Sequence, residues 1–334
     1  MNLLEVIGGQ WAIEPAKLIE IKAIYASHLR GEKVDVAAVE TRLGRKLQNE
    51  PKSYTTQNGV AVIRIDGVIA KRMNMFTEVS GGTSSELASQ ALQAALADPA
   101  AHSIILGIDS PGGTVDGTER LANAVFAART RGKAIVTLAS GCMCSAAYWI
   151  GSAAQAVYIE DGTTTVGSIG VVASHTDISG AQVAQGIKTT EISAGKYKRI
   201  ASQYGPLTPD GRKSIQDQLD YTYSIFVDAL AKNRNVSSAT VLSQMADGRV
   251  FIGQQAIAAG LVDGVTTLDS LIARLNSNRK AGTSLARSNA PISTLTGLDL
   301  AAKAFMAENP GTAYITAIKH VQGDRPYGKW PYAI

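Results

Sequence analysis

Between residues 60 and 160 short β-branched runs alternate with segments of helical periodicity. Val60 to Ile65 reads as a buried strand closed by an Asp66-Gly67 turn. Thr83-Ser84-Ser85-Glu86 has the spacing of a capping box ahead of a helix over Leu87 to Ala97, and Pro99 follows its stop. Ser103 to Ile108 predicts a second strand, which runs into Asp109-Ser110-Pro111-Gly112-Gly113. A helix follows over Val115 to Arg129, then a strand over Ala134 to Leu138, a helix from near Ser145 to Ala154, and a strand over Ala156 to Ile159. This alternation predicts an α/β domain. The second half reads as more helical, with Asp210 to Lys232 behind Pro209, Val241 to Ala246, and Gln254 to Ala259.

The two ends differ from this centre. Leu18, Ile21, Ile24, Tyr25 and Leu29 recur at helical spacing, and Val36 to Leu47 suggests a second short helix. Residues 1–55 are therefore expected to be a helical N-terminal extension. It joins the core through a polar stretch of Asn49, Pro51, Ser53, Thr55, Thr56 and Asn58 that reads as a linker. The main domain is expected over 56–275. From 276 to 334 Asn276, Ser277, Asn278, Gly282, Ser284, Ser288 and Asn289 predict a flexible tail, with Trp330 and Tyr332 as candidate docking residues near its end.

Composition narrows the function classes. With 334 residues, 45% hydrophobic and 18% charged, the chain can bury a sizeable core and is neither disordered nor fibrous. Its net charge of +4 is spread without a long Lys/Arg run, which argues against a nucleic-acid partner. The two cysteines, Cys142 and Cys144, supply neither a disulfide framework nor a four-ligand zinc site, so a reducing compartment is expected. No stretch of about 18 apolar residues occurs, and the first ten residues are too short and polar for a signal sequence. The expectation is an unexported, cytoplasmic protein without a membrane anchor.

Three segments can carry chemistry. Gly112 and Gly113 follow a strand and precede a helix, where main-chain amides can form an oxyanion hole; a plain strand–turn–helix junction has the same appearance. Ser145, in Cys144-Ser145-Ala146-Ala147, stands at a strand-to-helix junction that would present its hydroxyl at the sheet edge and the amide of Ala146 beside it. The Gly-x-Ser-x-Gly pattern is absent, and a helix-capping serine is the competing role. Lys198, in Gly195-Lys196-Tyr197-Lys198-Arg199, can act as a base only if its pKa falls far below about 10.4; a basic surface loop is the alternative. His175, with Asp177 nearby, is a weaker candidate base, and Cys144 a weaker nucleophile that reads better as a buried structural thiol.

Taken in order, these pieces resemble the signal peptide peptidase A (protease IV) family of Ser-Lys peptidases. The resemblance runs from about Val60 to Asp263. It rests on 62–69, Asp109 to Gly113, Ser145 to Tyr148, Val166-Gly167-Ser168-Ile169-Gly170-Val171, Gly195 to Lys198, Asp247 to Phe251 and Gly260 to Asp263. It implies a Clp-protease/crotonase-like fold with ββα units and a Ser145–Lys198 dyad. It further implies that Ser168 hydrogen-bonds the base, that Gly112, Gly113 and Ala146 lie in the oxyanion hole, that no metal or cofactor is used, and that the chain forms a homo-oligomer. The variant Cys144-Ser145-Ala146-Ala147-Tyr148-Trp149 and the segment Trp11-Ala12-Ile13-Glu14-Pro15 are similar to the phage head-maturation branch. The substrates implied are capsid, scaffold or portal proteins, met in host cytoplasm or inside an assembling prohead. The alternatives are a cytoplasmic peptidase degrading signal peptides or other proteins, a crotonase-type acyl-thioester enzyme, and an inactive capsid-assembly component.

Overall fold

The β-branched runs around residues 60, 105 and 135 form the parallel centre of a mixed sheet. The computed structural model describes residues 10–15, 18–19, 54–72, 81–281, 304–312, 316–317 and 320–321. Its strands are β1 (Trp11–Ile13), β2 (Thr55–Gln57), β3 (Val60–Asp66), β4 (Val68–Ala70), β5 (Gly82–Ser84), β6 (Ser103–Ser110), β7 (Gly112–Thr114), β8 (Ala134–Cys144), β9 (Ala156–Ile159), β10 (Thr165–Gly167), β11 (Val250–Ile252) and β12 (Gly264–Val265). Its helices are α1 (Ser85–Ala97), α2 (Thr118–Ala128), α3 (Ala146–Ser152), α4 (Ser179–Ala184), α5 (Pro209–Arg234), α6 (Ser238–Gln244), α7 (Gln254–Ala258) and α8 (Leu268–Ala281).

The main sheet runs β11-β10-β8-β6-β3-β2, with β9 also on β8 and β12 on β9. β3, β6 and β8 are parallel to one another, and β8 is parallel to both β9 and β10. Both faces are covered, so these strands read as continuous apolar runs rather than alternating ones. Ile63, Ile65, Ile104, Leu106, Ile108 and Ile135 pack against residues of α1, α2, α3 and α5. Val62, Ile105, Val136 and Leu138 pack against Leu271, Ile272 and Leu275 of α8. A second sheet has the order β1-β7-β4-β5. β3 leaves the main sheet through a tight turn and supplies β4 and then β5 to the second sheet before α1, and β6 leaves through a tight turn and supplies β7 before α2. These are the expected ββα units, and the α/β class of Clp-protease/crotonase type stands.

Several local expectations change. Thr55 to Gln57 is not linker: it pairs antiparallel with β3 through a two-residue turn in which Asn58 and Gly59 have φ of 50° and 77°. An Asn-Gly pair between strands is a strong hairpin signal. Ser84, not Thr83, caps α1, accepting from the Leu87 amide at 3.2 Å. The Thr83 hydroxyl instead binds both the amide and carbonyl of Asp66. Trp11 to Ile13, within the extension expected to be helical, forms strand β1, because its backbone is paired on a sheet edge. Helix α8 runs through 275 to Ala281, so the boundary expected between 275 and 276 falls inside a helix. Most of the helix expected over 15–29, all of that over 36–47, and Trp330 and Tyr332 lie outside the described residues.

The long helix α5 locks the site-bearing half. Phe226 stacks on Trp149 of α3 with centroids 4.4 Å apart, and Asn233 donates to Ser152 Oγ at 3.0 Å. At its C-terminus Arg234 makes a buried two-point pair with Asp263, at 2.8 and 3.0 Å, and Asp263 also accepts from the Val157 amide at 2.7 Å. Removing one partner of such a pair strands a buried charge, which costs about 3–5 kcal/mol. Asp263→Ala is therefore expected to lower the unfolding free energy by about that amount in urea titration, with the far-UV spectrum unchanged in the folded baseline.

Candidate active site

β6 and β8 end at the same edge of the main sheet, the carboxyl edge at which open parallel sheets place their sites. Ser145 is the hinge from β8 into α3. Its backbone sits at φ 54°, ψ −118°, a region non-glycine residues avoid at a cost of about 1–3 kcal/mol. Two hydrogen bonds hold it there: its amide donates to Gly167 O at 2.7 Å, and its carbonyl accepts from Trp149 N at 2.9 Å. Its side chain makes no capping bond to α3; the hydroxyl lies 3.5 Å from Gly170 O instead. The capping role that competed for Ser145 is thus not the one it plays. The turn has the shape of a nucleophile elbow without its glycines.

Glycine is obligatory opposite it. A Cβ on Gly113 would overlap the Ile69 carbonyl oxygen, and one on Gly112 would overlap Ala12 O and press at 3.0 Å on both Cys144 O and Ser145 Cβ. Ser110, buried, ties this turn down by donating to Gly67 O at 2.6 Å and accepting from the Gly112 amide at 3.2 Å. The Gly112 amide is thereby directed at Ser110. The antiparallel β1–β7 ladder is bonded at Glu14 N→Pro111 O (3.0 Å) and Val115 N→Gln10 O (3.4 Å). Alternation of bonded and non-bonded pairs makes Ala12–Gly113 the bonded pair between them, so the Gly113 amide faces Ala12. At the start of α3 the Ala146 amide has no intrahelical acceptor.

Of the residues singled out in the sequence, Ser145, Gly112, Gly113, Ala146 and Ser168 converge. Ser168 follows the carbonyl that binds Ser145, with φ 50° and its amide on Arg249 O at 2.8 Å. Lys198 is not bonded to them. It lies exposed in the turn after Gly195, and among the described residues no hydrogen bond joins it to Ser145 or Ser168. His175 bonds through Nε2 to Ser202 O at 2.8 Å and makes no bond to Ser145.

Both thiols are pushed up to about 12: Cys142 by burial first, then by Cys144 and Asp109, and Cys144 by burial first, then by Glu14. That makes Cys144 a poor nucleophile near neutrality. Two contributors lie in segments that the sequence marked without assigning them these roles: Ser110, whose hydroxyl shapes the glycine turn, and the three-residue strand β1, which is too short to show a periodicity.

Ser145 thus stands on a strained strand-to-helix turn, at the carboxyl edge of a parallel sheet and facing a glycine turn built from a second sheet, in a fold of the Clp-protease/crotonase class. Residues 127–282 match Peptidase family S49. It is 33% identical over 215 residues to "Capsid assembly protease C" of Escherichia phage lambda, covering 64% of this chain and 48% of that protein. It is 31% identical over 234 residues to "Head-tail preconnector protein GP5" of Enterobacteria phage P21, covering 69% and 46%. It is 27% identical over 239 residues to "Putative signal peptide peptidase SppA" of Enterococcus faecium, covering 70% and 68%. The chain thus spans about half the length of the two phage relatives.

Two outcomes follow from this geometry. Gly113→Ala is expected to cost more than about 3 kcal/mol, because backbone, not a flexible side chain, fills the space; a fall in Tm of the purified variant, or its loss to the insoluble fraction, is the readout. Iodoacetamide at pH 8 is expected to label the native thiols about a hundredfold or more slower than those of the urea-unfolded chain, followed by intact mass.

Proposed function

We propose that this chain is a serine endopeptidase that processes phage capsid, scaffold or portal proteins during head maturation, with Ser145 as nucleophile and Lys198 as general base. The observation that carries the reading is the backbone of Ser145, held in a costly conformation while its hydroxyl performs no structural capping. The names of the phage relatives support the substrate class. In the scheme, neutral Lys198 Nζ takes the Ser145 proton as Oγ attacks the scissile carbonyl. Amides of the glycine turn and of Ala146 hold the oxyanion; the direction of the Gly113 amide suits this better than that of Gly112, which is spent on Ser110. The lysine then gives its proton to the departing amine, and water releases the acyl group. Ser168 orients the lysine. No metal or cofactor takes part. Among the described residues no helix is long and apolar enough to cross a membrane.

Lys198 has to reach Ser145 for this chemistry. Its surroundings suggest how: Ile192 is 96% exposed, Val183 73% and Tyr197 61%, so the segment that carries the lysine displays apolar side chains to solvent. Assembly of copies through this segment would cover them and set the lysine against a serine.

The test is mass spectrometry of casein and of the chain itself after incubation with wild type, Ser145→Ala, Lys198→Ala and an equimolar mixture of the two variants. Each single variant is expected to lose cleavage by about a thousandfold or more. Activity recovered in the mixture means that the lysine is donated between copies; none means that the pair forms within one chain. Full cleavage by Ser145→Ala would end the proposal.

A further inference from the structure

Ser145 is 0% exposed, and the chain itself is what covers it. β1 lies beside β7 on one side, where Ile13, Ala12 and Trp11 stand opposite Gly112, Gly113 and Thr114. On the other side Trp11 exchanges two hydrogen bonds with Val172, at 2.9 and 2.8 Å. The segment 10–14 is thus an extended strand held by its backbone on both edges, in a slot one strand wide. That slot passes over the nucleophile. Ala12 O meets the same point in front of Gly112 as Ser145 Cβ, and the Gly113 amide is directed at that carbonyl. The negative charge of Glu14 reaches Cys142 and Cys144, the second of which adjoins Ser145. Without this strand, the backbone groups of Pro111, Gly113, Val115 and Val172 would face each other unpaired, which is a template for any extended peptide.

We propose that Gln10–Glu14 is a built-in pseudosubstrate: it fills the channel in which an extended peptide would lie, presents the small residue Ala12 at the position of the reacting carbonyl, and has to be displaced before an external peptide enters. The inference rests on the peptidase reading for its meaning, but occupancy of the channel is testable without catalysis. A tethered strand competes at an effective concentration on the order of millimolar, so external peptides of ordinary affinity are shut out. The strand is held by its backbone hydrogen bonds and by burial of Trp11 and Ile13 in a small cluster with Leu18, Val68 and Val172, separate from the main core, so it can leave without unfolding that core.

The experiment uses the full chain carrying Ser145→Ala, so that nothing is cut, and a fluorescein-labelled peptide with the sequence of residues 9–18, read by anisotropy. Trp11→Cys with Val172→Cys places two thiols on a bonded antiparallel pair, whose Cα spacing of about 5.5 Å suits a disulfide. Oxidised, this variant is expected to bind no peptide; reduced, it binds. The parent chain taken through the same oxidation controls for Cys142 and Cys144. A second variant, Ala12→Pro, removes the amide that bonds to β7 and is expected to bind the peptide at least about tenfold tighter than the parent, with circular dichroism confirming the fold. The same peptide with Phe in the Ala12 position is expected to bind at least about tenfold weaker, since Ala12 is fully buried in the packed core there. Equal binding by oxidised, reduced and Ala12→Pro forms, or no binding by any of them, overturns the proposal. Loss of casein cleavage in the Ser145-intact chain, with this binding pattern intact, would count against the peptidase reading alone.

Discussion

The architecture of this site depends on a close approach of backbone to backbone at Gly112 and Gly113. No side chain fits there: Ile69 O stands against one glycine, and Ala12 O, Cys144 O and Ser145 Cβ against the other. That contact is what allows the second sheet to be laid across the end of the first. β6 delivers the turn, β7 carries it into the second sheet, and β8 delivers Ser145 to the same place. Ser110 fixes the turn from within by bridging Gly67 O and the Gly112 amide, so the two ββα crossings are tied to each other at the site rather than only through the core. A fold arranged this way commits main-chain amides to a fixed geometry at no cost at the moment of reaction, which is where electrostatic stabilisation of an oxyanion is most effective.

The strain at Ser145 is held by the structure around it. A conformation costing about 1–3 kcal/mol persists because β10 supplies Gly167 O to its amide and α3 takes up its carbonyl. Behind α3, Trp149 is clamped by Phe226, Ser152 by Asn233, and the end of α5 by the buried Arg234–Asp263 pair. The candidate nucleophile is therefore held in place while the candidate base is not: Lys198 sits on an exposed segment amid unburied apolar side chains. This asymmetry fits the proposed peptidase if copies have to assemble before it acts. The same logic applies to β1, whose residence over Ser145 would keep the channel closed by intramolecular competition.

The sequence-to-structure relation divides along physical lines. Patterns that act over a few residues were legible: β-branched runs became β3, β6 and β9, Pro209 marked the start of α5, and the serine-at-a-turn motif marked Ser145. The Asn58-Gly59 turn carried a readable hairpin signal that the polar residues around it obscured. The capping residue of α1 shifted by one because Thr83 found a better partner in the Asp66 backbone, a contact across 17 positions.

The sequence by itself determined the α/β class, the order of the main strands and helices and the serine at the sheet edge, because local propensity, turn chemistry and hydrophobic period are properties of short segments. Only the tertiary structure decided which glycine amide faces the cleft, that Ser145 does not cap its helix, that Lys198 is exposed and not bonded to Ser145, and that Trp11 to Ile13 is a strand over that serine. Each of these depends on a partner far away in the chain. A three-residue segment has no period of its own, and its conformation is set by the two edges that receive it.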